Sequence, residues 1–231
     1  RKMRDDTPPA QQRLSPRKGV ADISALAGFD EIIDVRSPAE FADDHIPGAI
    51  SCPVLDDAQR AEIGTLYKQV SPFAAKKLGA ACISANIARH LQAHFLERDK
   101  GWRPLVVCWR GGMRSGALTT VLRSVGWDAC QLEGGYKAFR HHVLAELEQL
   151  PGRFRFQVVA GPTGSGKTRI LQARAGLGGQ VLDLEALACH KGSVLGSQPG
   201  QPQPSQKWFE TSLWHALSGF DPQRPVFVES E

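Results

Sequence analysis

No apolar run in this 231-residue chain approaches the roughly 18–20 residues that a membrane-spanning helix needs, and no basic–apolar–small leader opens it. A helical membrane protein is thereby excluded, and no membrane partner is expected. Cysteine is sparse and unpatterned. Cys52, Cys82, Cys108, Cys130 and Cys189 are odd in number, widely scattered and free of C-x-x-C spacing. Neither a disulfide framework nor a zinc site fits that distribution, and a reducing, cytoplasmic location is expected. An excess of charge of one sign is also small. The net +4 permits a nucleic-acid partner without demanding one. An initiator Met is missing, and Glu231 falls inside a strand-like run, so both ends are expected to be cut or unobserved. What is present is 42% apolar residues, ample for packed cores, over a length that suits two domains.

The central stretch is Pro104-Leu-Val-Val-Cys-Trp-Arg-Gly-Gly-Met-Arg-Ser115. Four apolar residues run into Cys108, and a helix-like run begins at Ser115. This pattern predicts a buried strand, a tight loop and a helix N-terminus. Gly111 and Gly112 let the backbone N–H groups between Trp109 and Met113 converge on one spot, and the helix dipole reinforces them. Arg110 and Arg114 add positive charge. A cysteine so placed is set up as a nucleophile. The competing reading is a half-buried core cysteine at a strand end.

Upstream, residues 1–18 hold Arg1, Lys2, Arg4, Arg13, Arg17 and Lys18 among three prolines and read as a basic arm, either solvated or touching nucleic acid. Glu31–Val35 is strand-like. Ser37, Pro38 and Glu40 form a helix-start signature. His45–Ile50 is a turn into another short strand, and Asp34 and Arg36 are expected to pair. Residues 56–79 give no decisive pattern. Asn86–Glu97 carries Ile87, Leu91 and Phe95 at four-residue steps, a helix with one apolar face. His90 and His94 have metal-ligand spacing there, but no further ligand is evident, so helix surface is the expectation. Leu118, Val121, Leu122 and Val125 mark a helix stopped by Gly126. Cys130–Leu132 is a strand and Glu133–Gly135 a turn. Phe139, Val143, Leu144 and Leu147 form another apolar face. Alternating strands and helices predict an α/β domain with a mostly parallel sheet over residues 19–150.

Asp34-Val-Arg-Ser-Pro-Ala-Glu-Phe41, His45–Ile50, the Cys108 loop and Leu132-Glu-Gly-Gly-Tyr136 together resemble the rhodanese domain. The resemblance implies that the loop cysteine carries sulfur as a persulfide. One departure stands out: Cys108 to Arg114 is Cys-x5-Arg, one residue longer than the usual rhodanese loop and matching Cys-dependent phosphatases. The longer loop predicts a cradle for a tetrahedral oxyanion.

The second part, residues 151–231, opens with a strand over 154–160. Gly161-Pro-Thr-Gly-Ser-Gly-Lys-Thr168 follows, a complete G-x4-G-K-T match in strand–helix context. Gly161, Thr163, Gly164, Ser165 and Gly166 would wrap a diphosphate, Lys167 would reach its outer phosphate, and Thr168 would hold Mg²⁺. Gln180–Leu184 and Pro225–Glu229 are further strands. Glu229 and Glu231 read equally as metal partners or as surface charge, and Gly192–Pro204 as a flexible loop, a candidate lid. The P-loop NTPase-like α/β domain is expected to be incomplete at its C-terminus.

The whole, with Tyr67–Lys77 added, resembles the tRNA 2-selenouridine synthase family. That resemblance implies replacement of sulfur by selenium in wobble 2-thiouridine of tRNA, through S-geranylation. Selenophosphate and geranyl diphosphate would be the substrates, with no tightly bound prosthetic group. A selenophosphate-producing enzyme would be a partner. Cys108, Arg110 and Arg114 would serve the selenium step. Two alternatives stay open: a Cys-x5-Arg phosphatase, and a P-loop switch with a non-catalytic rhodanese module.

Overall fold

The computed structural model describes residues 19–162, 164–189 and 203–230. The basic arm, Thr163, most of the Gly192–Pro204 loop and Glu231 lie outside these residues. In chain order the first unit comprises β1 (Val20–Ala21), β2 (Glu31–Asp34), α1 (Pro38–Asp43), β3 (Ile50–Ser51), α2 (Asp57–Gln69), α3 (Pro72–His90), β4 (Pro104–Val107), α4 (Met113–Val125), β5 (Cys130–Leu132) and α5 (Gly135–Gln149). Its five strands are all parallel, in the order β1-β5-β4-β2-β3. β4 lies at the centre and is buried along its whole length. Its pleat sends Val106 and Cys108 into the core with Ile83, Ile87, Leu118 and Leu122 from α3 and α4. Leu105 and Val107 face Phe139 and Val143 of α5 on the other side. The helices therefore cover both faces, as parallel sheets require.

The second unit comprises β6 (Phe156–Val159), α6 (Lys167–Gly176), β7 (Gln180–Leu182), α7 (Leu184–Ala188), α8 (Gln206–Ser218) and β8 (Val226–Glu229). Its sheet is parallel in the order β6-β8-β7, so the P-loop strand β6 lies beside β8. Among the described residues no helix is long and apolar enough to cross a membrane.

Two expectations need correction, and one undecided stretch is resolved. The helix assigned to Asn86–Glu97 begins at Pro72 and ends at His90, where a π-helical turn, Leu91–Phe95, takes over. The undecided region 56–79 is the α2–α3 hairpin, capped by Asp56 and Ser71. Val125 and Leu144, read as core positions, are exposed at 57% and 43%. Each follows a neighbour that already fills the face, Leu122 on α4 and Val143 on α5.

Helix α8 joins the two units. Leu213, Trp214 and Leu217 pack in the second unit's core, while Trp214 also reaches the first unit's core and meets Phe139 edge-on. Asp44, fully buried in the first unit, accepts hydrogen bonds from Tyr136 Oη at 2.6 Å and from Thr211 Oγ1 of α8 at 3.0 Å. Arg140 of α5 pairs with Glu210, and Trp208 stacks on His45 at 4.2 Å.

Candidate functional site

Cys108 ends β4 at the carboxyl edge of the sheet, where open α/β folds place ligands. Its side chain is buried. The Gly112 N–H points at Sγ from 3.1 Å, and the Ser115 hydroxyl donates to it at 2.9 Å. Ser115 lies fully buried in the first turn of α4 and was not singled out as a site residue. A hydroxyl in the turn after a Gly-Gly loop was the only signal for it. Two donors on one sulfur hold it in a fixed position at the start of the loop.

The loop holds its shape because a second glycine turn lies against it. Tyr136 N–H donates to Cys108 O at 2.8 Å and Lys137 N–H to Trp109 O at 3.0 Å. Gly111 (φ +65°), Gly134 (+67°) and Gly135 (+58°) all adopt left-handed conformations, which admit glycine with little cost. The Leu132–Tyr136 motif is therefore the outer wall of the Cys108 cradle. Trp109 and Met113 are exposed at its rim, with Trp109 5.4 Å from the Tyr136 ring.

The two arginines do not converge on Cys108. Arg110 is exposed. Arg114 Nη1 donates to Glu40 Oε2 at 2.8 Å, and Glu40 also accepts from Ser37 N–H and pairs with Arg60. Burial alone pushes the Glu40 carboxyl up. The Arg114 hydrogen bond and charge, the Ser37 N–H and Arg60 outweigh it and hold the group below its ordinary value. Glu40 is thus charged at neutral pH and occupies Arg114. Glu40→Gln is expected to free Arg114 for the loop. A charge-assisted bond is worth on the order of 1.5–3 kcal/mol, so sulfate or phosphate should bind roughly tenfold more tightly. A depressed carboxyl keeps its partner above the unfolded value and loses it as pH falls, so the gap between variant and parent should close as pH drops through the depressed Glu40 value, below the ordinary carboxylate range. Calorimetric titration with sulfate measures both. Equal affinity at neutral pH would show that Arg114 does not serve the loop.

Asp34 and Arg36 form the expected pair, buried, with Arg36 Nη2 2.6 Å from Asp34 Oδ2 and from the Asp44 carbonyl. The Arg36 guanidinium lies 3.9 Å over the Tyr136 ring, which makes the pair a brace for the glycine turn.

In the second unit, Gly164 and Gly166 are left-handed and open the P-loop into α6. Lys167 Nζ donates to Gly161 O at 2.9 Å and lies 3.4 Å from Glu229 Oε1. Thr168 Oγ1 donates to Glu229 Oε2 at 3.1 Å. Glu229, at the end of the neighbouring strand, therefore meets the side chains of both Lys167 and Thr168. The Thr168 hydroxyl beside a carboxylate is a set of hard oxygen ligands that suits Mg²⁺. An open cavity of about 560 Å³ adjoins this point, lined in part by Asp183, Glu185, Phe209 and Glu229. Asp183 itself caps α7 through Ala186 N–H.

A parallel α/β sheet with a cysteine cradle at its carboxyl edge, joined to a parallel sheet with a P-loop, defines a rhodanese-like domain followed by a P-loop domain. Residues 19–142 match the rhodanese-like domain, and residues 154–231 match the tRNA 2-selenouridine synthase AAA domain. The chain is 38% identical over 222 residues to a tRNA 2-selenouridine synthase of Nitrosomonas europaea, covering 94% of this chain and 57% of that protein. To the one from Bdellovibrio bacteriovorus it is 38% identical over 190 residues, covering 79% and 48%. The chain thus spans about half the length of the curated relatives it matches. It belongs to the rhodanese-like family, and its second domain is similar to the AAA domain of tRNA 2-selenouridine synthases.

Proposed function

We propose that this chain supplies the cysteine loop and the P-loop of a tRNA-modifying transferase that converts wobble 2-thiouridine to 2-selenouridine. The observation that carries the reading is that the two sites share one framework. Tyr136 binds the Cys108 carbonyl and, through Asp44, meets Thr211 of α8. Phe209, on the same helix, lines the cavity at Glu229. A substrate handled at both sites thus meets rigidly connected walls rather than two independent modules.

The P-loop binds a diphosphate, geranyl diphosphate in this reading, and Lys167 stabilises charge on the departing pyrophosphate. Thr168 and Glu229 would hold a Mg²⁺, which would neutralise part of that charge when bound. S-geranylation makes the uridine sulfur a better leaving group. Cys108, with the Gly112 N–H and Ser115 hydroxyl on its sulfur, serves the selenium step as carrier or nucleophile, with selenophosphate as donor. The protein then acts in the cytoplasm beside an enzyme that makes selenophosphate.

The tRNA partner has a candidate surface at the tip of the α2–α3 hairpin. Tyr67, Val70 and Phe73 are exposed at 54%, 73% and 70%, and Lys68, Lys76 and Lys77 are exposed beside them. Aromatic rings among lysines suit unstacked bases flanked by phosphates, each stacked base being worth roughly 1–3 kcal/mol. Phe73→Ala should weaken tRNA binding about tenfold at fixed salt in a gel-shift titration. Unchanged binding would move the contact elsewhere.

The test of the function is incubation of the complete protein with thiolated tRNA, geranyl diphosphate and selenophosphate, followed by mass analysis of the nucleosides. Geranylated and selenated uridine are expected in succession. Phosphate release from an aryl phosphate, or nucleotide binding with no change in the tRNA, would favour the phosphatase or the switch.

A further inference from the structure

His90 and His94 were read as helix surface because no third ligand accompanied them in sequence. The fold supplies one. Cys52, just past β3, brings Sγ to the same point, and one ligand atom from each of Cys52, His90 and His94 lies within 4.8 Å of the others. We propose that these three side chains form a binding site for a zinc-like divalent cation, with a fourth position open to water.

Four observations converge on it. First, His90 Nε2 lies 2.9 Å from the Pro53 carbonyl. A carbonyl can only accept, so Nε2 carries the hydrogen and Nδ1 keeps the lone pair a metal needs. An outer carbonyl that fixes the tautomer is the usual second partner of a metal-bound histidine. Second, His94 belongs to the π-helical turn Leu91–Phe95, for which His90 is the N-terminal cap. Single π turns occur frequently at functional sites, and this one follows directly on α3. Here the turn leaves the two imidazoles stacked, with centroids 5.8 Å apart at 26°. Third, Cys52 is a free thiol buried in the core, so its sulfur is held in place by the packing around it. Glu31 Oε2 is buried and has no hydrogen-bond partner among the described residues. Fourth, His94 is exposed while Cys52 is buried, so the site has a wet side through which an ion enters.

A tetrahedral zinc with bonds of about 2.0–2.3 Å puts its ligands about 3.5 Å apart, so closure needs roughly an ångström of movement. The exposed His94 ring can provide it. Binding replaces the thiol proton: the S–H bond breaks, an S–metal bond forms and one proton leaves to solvent, with no change of oxidation state. One thiolate and two imidazoles are the mixed S/N ligands zinc accepts, with water in the fourth place. Bound there, the ion would tie the exit of β3 to the end of α3.

The test uses untagged full chain, stripped with chelator and titrated with Co²⁺ as a coloured stand-in and then with Zn²⁺. One equivalent should bind, with a thiolate-to-cobalt charge-transfer band that Zn²⁺ displaces. Cys108→Ser should keep the band and Cys52→Ser should lose it. Since Cys52 lies in the core, His94→Gln on the exposed side provides the variant that folds regardless. It should weaken Zn²⁺ by more than the roughly 10–100-fold typical of losing an outer partner, and should abolish any Zn²⁺-induced rise in melting temperature. The proposal fails if no thiolate band forms, if the band follows Cys108, or if His94→Gln binds Zn²⁺ as tightly as the parent.

Discussion

Gly135→Ala is expected to unseat the Cys108 loop and to lower the melting temperature by roughly 6–12 °C, the shift that about 3 kcal/mol produces in a protein of this size. A Cβ at Gly135 would stand 2.2 Å from Cys108 O, 2.6 Å from Gly111 N and 2.9 Å from Arg110 N. All three are backbone atoms of the loop itself, so no side chain can swing aside. The residue also sits at φ +58°, where a Cβ adds roughly 1–2 kcal/mol of its own. Overpacking typically costs a further 1–3 kcal/mol, which brings the total to about 3. Relief can come only by pushing the loop off the Leu132–Tyr136 turn, which breaks the Tyr136 N–H bond to Cys108 O. A shift of an ångström at a reacting group can cost on the order of 10²-fold in rate. Gly116→Ala is the control. It lies one residue past Ser115, and its Cβ would only touch Gln131 Oε1 at 3.5 Å. It should melt at or above the parent, since alanine is the better helix former. Melting curves and selenation assays on both variants decide the matter. A Gly135→Ala protein that melts and turns over like the parent would remove the cradle as the reason for the glycine.

The parts of the fold that were legible in sequence are those with local signals. β4 showed as an unbroken apolar run because it is buried on both faces. The Cys108 loop and P-loop showed because left-handed turns demand glycine at fixed places. α3 was hidden by its composition. Ala74, Ala75, Ala80, Ala81, Ala85 and Ala88 make it weakly apolar all round, so no stripe marks its buried side. α8 was passed over because it follows a Gly/Pro-rich stretch and buries two faces, one against each domain. Its central polar residue, Thr211, is fully buried for the sake of Asp44. The partners that define the sites were the least legible. Glu40 holds Arg114 across 74 positions, and Thr168 meets Glu229 across 61. Cys52 joins His90 and His94 only because β3 returns beside α3. Pairings of this kind belong to topology, and no spacing rule finds them.

Lys167→Ala should reduce geranyl transfer, and with it pyrophosphate release, by roughly 10²–10³-fold, the loss seen when one preorganised donor to a developing anion is removed. Lys167 opens α6 with its ammonium 2.9 Å from the Gly161 carbonyl and 3.4 Å from Glu229. A diphosphate in the loop offers that ammonium a stronger partner than a carbonyl, and the loop geometry already holds the side chain bent back over its own backbone. No reorganisation is then needed when charge builds on the leaving pyrophosphate, so the effect should fall on kcat more than on KM. The fold should persist. Lys167 is not among the residues packed around Leu150, Leu182, Leu217 and Val226, and loss of its pairing with Glu229 should cost on the order of 1 kcal/mol. Thr168→Ala separates the two P-loop roles. It removes the hydroxyl that meets Glu229 and leaves the ammonium, so its loss should shrink as Mg²⁺ is raised, whereas that of Lys167→Ala should not. Single-turnover assays with thiolated tRNA and geranyl diphosphate read both variants. If Lys167→Ala keeps its rate, the charge on pyrophosphate is borne elsewhere, and the P-loop is reduced to a binding site.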